Sequence, residues 1–196
     1  MAQASIISRA DKLPSAELNL GGTSTSEKVF LQNGSTTAAL FCPLPVPDLV
    51  ATNLKQCAVF DVLVAGRVTG GSSAVTFTPK LYFGTSTTAA SDTVLESAAA
   101  VTVTAVSGGW FIRGTLIIDY TSGKIDGGTW CFGNGTTSVL TALTKIENVP
   151  SASSTAVLTV NSPTTQQGFV VSGTFGTNGQ AANVAYVDIF QVEMIG

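Results

Sequence analysis

The residues of this chain that could do acid–base or ligand chemistry are few and scattered. They are the carboxylates Asp61, Asp119, Asp188 and Glu193 and the guanidinium groups Arg67 and Arg113, each set within an apolar run. Glycoside hydrolysis needs two carboxyl groups roughly 5–9.5 Å apart, and no rule of spacing brings two of these to that distance. Asp61 and Asp188 are the carboxylates expected to be partly buried, with Arg67 or Arg113 as structural ion-pair partners. The chain has no histidine, so a Ser-His-Asp triad cannot form within it, and the commonest proton shuttle and metal ligand is missing. Cys42, Cys57 and Cys131 lie in ALFCPL, QCAVF and TWCFG without C-x-x-C spacing, the setting of small buried hydrophobes. GNGTTS (133–138) lacks the last glycine of a dinucleotide loop. TSGKID (121–126) lacks the first glycine and the Ser/Thr of a phosphate loop, so both are turn sequences. No catalytic, cofactor-binding or metal-ligating residue is assigned, and the expectation is a non-enzymatic protein without a cofactor. Trp110, Trp130, Tyr82 and Tyr120 are the material for a sugar-stacking platform, although core packing is the simpler use of the two tryptophans.

The elements that must position these groups follow from composition. Apolar residues make up 44% of the 196, enough for one domain with its own core. Charged residues make up only 11% and the formal net charge is −3, against about 25% charged residues in an ordinary soluble domain. A surface built from Ser, Thr, Asn, Gln and Gly offers a phosphate backbone or an anionic membrane nothing to hold, so neither nucleic acid nor membrane is an expected partner. Weak charge also removes the repulsion that keeps a monomer apart from its copies, which fits a chain that spends surface inside an assembly. The N-terminal stretch has no basic start followed by an apolar core, so synthesis in the cytoplasm is expected.

Residues 1–27 are polar and aperiodic. They are either a disordered tail or an extended strap over a neighbouring subunit, for which Ile6, Ile7, Leu13, Leu18 and Leu20 supply buriable surface. From Lys28 onward, short alternating runs are separated by turn chemistry, with almost nothing at helical spacing. Strands are expected at 28–32, 37–41, 57–68, 74–83, 99–106, 109–120, 128–133, 138–143, 155–160, 168–175 and 183–194. Turns are expected at Asn33-Gly34, Asp126-Gly127, Asn134-Gly135 and Asn178-Gly179, a rigid extended connector or a docked edge at CPLPVPDL (42–49), and one short helix over 46–56. The economical fold is all-β: residues 28–196 as a single two-sheet antiparallel sandwich with jelly-roll (Greek-key) topology, behind an extended N-terminal arm.

The faces of GWFIRGTLIIDY (109–120) can be separated by parity. Trp110, Ile112, Leu116, Ile118 and Tyr120 belong to the core, and Phe111, Arg113, Thr115, Ile117 and Asp119 to the outer side. Arg113 and Asp119 are then about 20 Å apart along the strand and cannot pair. Strict alternation in NVAYVDIFQVEM (183–194) puts Val184, Tyr186, Phe190, Val192 and Met194 on one face and Ala185, Val187 and Ile189 on the other. Strands apolar on both sides need a second cover, either a neighbouring subunit or a loop such as 84–98 folded over the outer sheet. The candidate interface residues are Phe111, Arg113, Ile117, Ile6, Ile7 and Leu18.

In the order FDVLVAGRV, VTFTPKLYFGTS, DTVLES, GGWFIRGTLIIDYTSGKI and GFVVSGTFGTNGQAANVAYVDIFQVEM, covering roughly residues 58–194, the chain resembles the small β-sandwich structural proteins of tailed-bacteriophage virions, the capsid decoration (cement) and head-fibre type. The resemblance implies a jelly roll, homotrimerisation and a place on the virion, either the outer capsid surface or the tail. The implied partners are copies of itself and the major capsid or another virion protein; it transfers no catalytic residue. The alternative is a receptor- or carbohydrate-binding β-sandwich module of a phage fibre or tail.

Overall fold

The computed structural model describes residues 7–9, 16–19, 25–30, 41–43, 57–84, 92–97, 100–103, 107–119, 124–134, 138–140, 144–150, 168–176 and 182–195. Ile6, Tyr120, the turns Asn33-Gly34 and Asn178-Gly179, the helix expected over 46–56 and the strand expected over 155–160 lie outside the described residues. All regular structure described is β: β1 (Ile7–Arg9), β2 (Ala16–Asn19), β3 (Lys28–Val29), β4 (Phe41–Pro43), β5 (Cys57–Thr69), β6 (Val75–Gly84), β7 (Thr93–Ser97), β8 (Val101–Val103), β9 (Ser107–Asp119), β10 (Lys124–Asn134), β11 (Ser138–Leu140), β12 (Thr144–Pro150), β13 (Gly168–Phe175) and β14 (Val184–Met194). They form two antiparallel sheets packed as a sandwich. The eight-stranded sheet runs β1-β14-β5-β9-β10-β11, with β2 also on β14 and β12 also on β10. The six-stranded sheet runs β3-β13-β6-β7, with β4 on β13 and β8 on β6. The chain crosses between sheets after β2, β4, β5, β8, β12 and β13, a path compatible with a jelly roll.

The core is where the two inner faces meet, and its chemistry follows from the alternation in the long strands. Phe60, Val62, Val64 and Val68 of β5 and Trp110, Ile112, Leu116 and Ile118 of β9 point inward from the large sheet. They meet Phe77, Leu81 and Phe83 of β6 and Phe169, Val171 and Phe175 of β13. Phe30, just after β3, stacks on Trp110 at 5.9 Å and meets Phe77 edge-on at 6.5 Å. Among the described residues a polar bridge crosses the apolar interior: Thr129 Oγ1 donates to Glu96 Oε2 at 2.6 Å, joining β10 to β7, and both residues are buried. Room for Thr129 comes from its cross-strand partner Gly114, where a Cβ would stand 2.5 Å from the Thr129 methyl group. Cys131 is buried as its apolar neighbours suggest.

Proline placement follows the ladder. Pro79 has no N–H to give, and it sits where β6 changes partner, between the segment Val75–Phe77 that pairs with β8 and the segment Lys80–Phe83 that pairs with β7.

Four expectations are corrected. Asp126-Gly127 is not a turn: β9 and β10 pair without a break from Asp119↔Lys124 to Gly109↔Asn134, so the connection falls at 120–123. Gly127 instead serves a bulge against β12, with φ of 137°. Turn and bulge share the need for positive φ, which is why the dipeptide misleads. Second, β14 is not apolar on both faces. Its pairing with β5 steps from Val187↔Gly66 to Ile189↔Ala65, leaving Asp188 as an extra residue. The bulge switches parity, so Ala185, Val187, Phe190 and Val192 all lie in the core, with Met194 packed against it. Third, the described part of 84–98 does not cover the outer sheet; it supplies β7, which extends the smaller sheet. Fourth, the segment from Cys42 begins as the docked edge and not as the connector, since Phe41–Pro43 pairs with β13.

The described part of the N-terminal segment is neither a free tail nor a strap over a neighbouring subunit: it has partners within its own chain. β1 runs opposite Gln191–Glu193 and β2 opposite Val184–Val187, both antiparallel to the edge of β14, interrupted where β14 carries its bulge. Ile7 is in register with Glu193 and Leu18 with Ala185. Glu27 then docks on the outer side of the smaller sheet. Its carboxylate accepts from Tyr82 Oη at 2.6 Å, from Lys80 Nζ at 2.9 Å and from the Ser172 hydroxyl. Burial alone would raise the Glu27 carboxyl, but these three donors outweigh it and hold it below its ordinary value. The same contact, after burial, pushes the Tyr82 phenol well above its usual range.

A candidate binding groove on the outer face of the large sheet

The outer face of the large sheet is set by parity and register. Reading across β14, β5, β9 and β10, one row is Ile189, Ala65, Phe111 and Phe132, and the next is Gln191, Leu63, Arg113 and Trp130. The third is Glu193, Asp61, Thr115 and Gly128, and the fourth runs from Val59 through Ile117 to Asp126. Phe111 therefore faces outward as its parity predicts, and it is not bare. Trp130 meets it edge-to-face at 4.9 Å and Phe132 stacks on it at 5.7 Å. Ile189, Ile117 and Ile195 are exposed at 45%, 41% and 46%.

Below this aromatic cluster the face opens into a groove of about 520 Å³, lined by Asp61, Arg113, Thr115, Trp130 and Ile195 with the backbone of Gly114 and Gly128. The consecutive strands β9 and β10 build it together with β5 and the residue after β14, both distant from them in sequence. The Asp61 carboxylate accepts from Thr115 Oγ1 at 3.1 Å and, at a long 3.4 Å, from Arg113 Nη2. Arg113 is about half exposed and Asp61 about a third. An ionised carboxylate has about four acceptor positions and a guanidinium five N–H donors, so this pair keeps most of its capacity for a ligand. Side by side their charges cancel, and Trp130 supplies an apolar plane next to them.

A second ion pair lies at the opposite end of the face. Arg67 Nε and Nη2 donate to the two Asp188 oxygens, each at 2.7 Å, and the guanidinium lies 5.1 Å from the Tyr186 ring centroid. The hydrogen bonds and charge of Asp188 hold the Arg67 guanidinium above its ordinary value. Each of the two carboxylates expected to be partly buried is so and has one of the two arginines considered as partners; the structure assigns Arg67 to Asp188 and Arg113 to Asp61.

Of the interface candidates, Phe111, Arg113 and Ile117 share this face, while Ile7 and Leu18 lie on the β14 edge and Ile6 is outside the described residues. Of the aromatic residues considered for a platform, Tyr120 lies outside the described residues and the other three are not brought together: Trp110 is in the core, Tyr82 is buried on the smaller sheet, and Trp130 reaches the groove. Trp130 also departs from the core role expected for it, since Cys131 takes the inward position beside it. Sequence reasoning missed that Asp61 stands in register with both Glu193 and Thr115. The signal was an acidic residue at an outward position of two apolar strands, but strand order was needed to join them. Among the described residues, no group of three or more His, Cys, Asp or Glu side chains could hold a metal ion, and no helix is long and apolar enough to cross a membrane.

No protein-family model matches the chain. No curated protein matches it. Among solved structures it is similar to peanut lectin with a 9mer peptide (PVIWSSATG), at 8% identity and a TM-score of 0.37, over 100% of this chain and 94% of that one. A likeness at that level carries no argument about function.

Proposed function

We propose that this chain is a non-enzymatic virion structural protein of the capsid decoration type, which self-associates, as a homotrimer by the resemblance, and seats on the major capsid or another virion protein. The observation that carries the reading is the outer row Ile189, Ala65, Phe111 and Phe132, an apolar band on a sheet whose other face already fills a complete core. Apolar surface in water is unfavourable by about 25 cal/mol per Å², and a protein with 11% charged residues has little else on its surface to oppose association. The resemblance in strand order to decoration and head-fibre proteins supplies the kind of assembly, and the outer surface of a particle or its tail is the location that goes with it.

The test is Phe111→Ser. Its side chain faces away from the core, so far-UV circular dichroism should stay that of the wild type, with stability lower by about 1–3 kcal/mol for the lost contacts to Trp130 and Phe132. Mass by light scattering should fall from oligomer to monomer, and co-sedimentation with capsid particles should weaken. A wild-type chain that is monomeric at micromolar concentration and ignores capsids overturns the reading. A Phe111→Ser protein that unfolds outright shows that face to be core.

A further inference from the structure

We infer that the groove lined by Asp61, Arg113, Thr115 and Trp130 is a binding site for a neutral pyranose sugar. This site is separate from the apolar row proposed for assembly, which lies on the far side of Arg113 and Trp130. Its volume of about 520 Å³ falls within the roughly 300–1,000 Å³ of small-ligand sites, and its chemistry is divided in the way a sugar ring is divided. A pyranose presents C–H groups on its faces and hydroxyls at its rim. Trp130 lines the groove as a rigid apolar plane, held edge-to-face by Phe111 at 4.9 Å, suited to the C–H face. The Asp61 carboxylate has acceptor positions beyond those used by Thr115 and Arg113, and a carboxylate can take two adjacent hydroxyls at once. Arg113 uses one N–H on Asp61 and has others for a ring or hydroxyl oxygen.

The other ligand classes fit less well. A phosphate or carboxylate would be drawn to Arg113 but would have to approach Asp61, whose Oδ2 is 3.4 Å from the guanidinium. A purely apolar ligand would desolvate both charged groups and return no hydrogen bonds. A neutral polyol offers donors to the acid and acceptors to the base and adds no charge to a pair that is already balanced.

The experiment is saturation-transfer NMR on the full chain with methyl β-D-galactopyranoside, methyl α-D-mannopyranoside, methyl β-D-glucopyranoside and chitobiose as probes, and with inorganic phosphate (by phosphorus NMR) and adenosine as contrasts. Binding of at least one pyranoside is expected, with the strongest transfer to C–H protons of one ring face. Asp61→Asn should weaken it by roughly tenfold or more, the loss of a charge-assisted hydrogen bond. Trp130→Phe, which keeps an aromatic ring against Phe111 should Trp130→Ala fail to fold, should weaken it less than Asp61→Asn. Sugar binding retained in Ile189→Ser, a member of the apolar row outside the groove lining, while self-association is weakened separates this site from the assembly face. The inference is overturned if no pyranoside binds, if binding is unchanged in Asp61→Asn, or if phosphate or adenosine binds in place of the sugars.

Discussion

Deleting Asp188 tests the register of the large sheet more sharply than any substitution. In β14, Asp188 and Ile189 are consecutive and both face outward, because the ladder with β5 passes from Val187↔Gly66 directly to Ile189↔Ala65. Removing one of two consecutive outward residues restores plain alternation without moving Phe190, Val192 or Met194 off the core side. The losses are the local twist of the bulge and the ion pair to Arg67, whose side chain is 58% exposed. Exposed pairs contribute about 0–1 kcal/mol, so the deletion should cost less than about 2 kcal/mol in all. A strand in strict alternation would respond differently. Shortening it would turn Phe190 and Val192, each 2% exposed, toward water at about 1.5–3 kcal/mol apiece. That loss of about 3–6 kcal/mol is a large part of the 5–15 kcal/mol typical of a domain. The assay is urea unfolding of wild type, Asp188→Ala and the deletion, with deletion of Val64 as contrast, since β5 pairs with β9 without a bulge to absorb it. If the Asp188 deletion is unfolded, or more than about 3 kcal/mol below Asp188→Ala, the bulge does not carry the parity switch and the reasoning fails.

Glu27→Gln should remove a pH dependence of stability. The folded Glu27 carboxyl lies below its ordinary value of 4.5, so its stabilisation is complete above that pH and is lost as pH falls through the folded value. Unfolding midpoints should then show the variant about 1–3 kcal/mol less stable at pH 7 and the gap closing in acid; a gap that stays constant down to pH 2 counts against the cluster. Gly127→Ala should destabilise by about 2 kcal/mol or more, because the position combines φ of 137° with a Cβ placed 2.2 Å from the Thr115 carbonyl oxygen. A chemical-denaturation midpoint within error of wild type would show that β10 can give up its bulge.

How far the fold was legible depended on whether a strand kept its alternation. β5, β6, β9 and β13 are long and fall within a residue or two of the runs that suggest them; β5, β9 and the first part of β6 alternate in the expected sense, while β13 is buried on both faces. Arg113 and Phe111 could be placed outward, and Trp110 inward, from parity alone. β14 was found but its faces were not, since one inserted residue exchanges every position beyond it, and nothing in VAYVDIFQ marks Asp188 except that an acid sits between apolar neighbours. β7 and β12 went unseen because TVLES and TKIENVP carry charge inside short strands. In β7 the exception is structural: Glu96 is buried and accepts from Thr129 across the sandwich.

The groove was the least legible part, for a reason that also says why it is a good place for function. Asp61 and Arg113 are 52 residues apart in sequence, and they become neighbours only because β5 enters the large sheet beside β9. The periodicity within either strand holds no trace of that order. Yet the same periodicity guarantees that both side chains point away from the core, since Val62 and Val64 on one strand and Ile112 on the other take the inward positions. Side chains at such positions can change identity while the packing beneath them stays fixed, so Asp61→Asn should leave the unfolding midpoint near that of wild type even where it abolishes binding. A loss of stability comparable to a core truncation, about 2–5 kcal/mol, would instead make the Asp61, Thr115 and Arg113 contacts part of what holds β5 to β9.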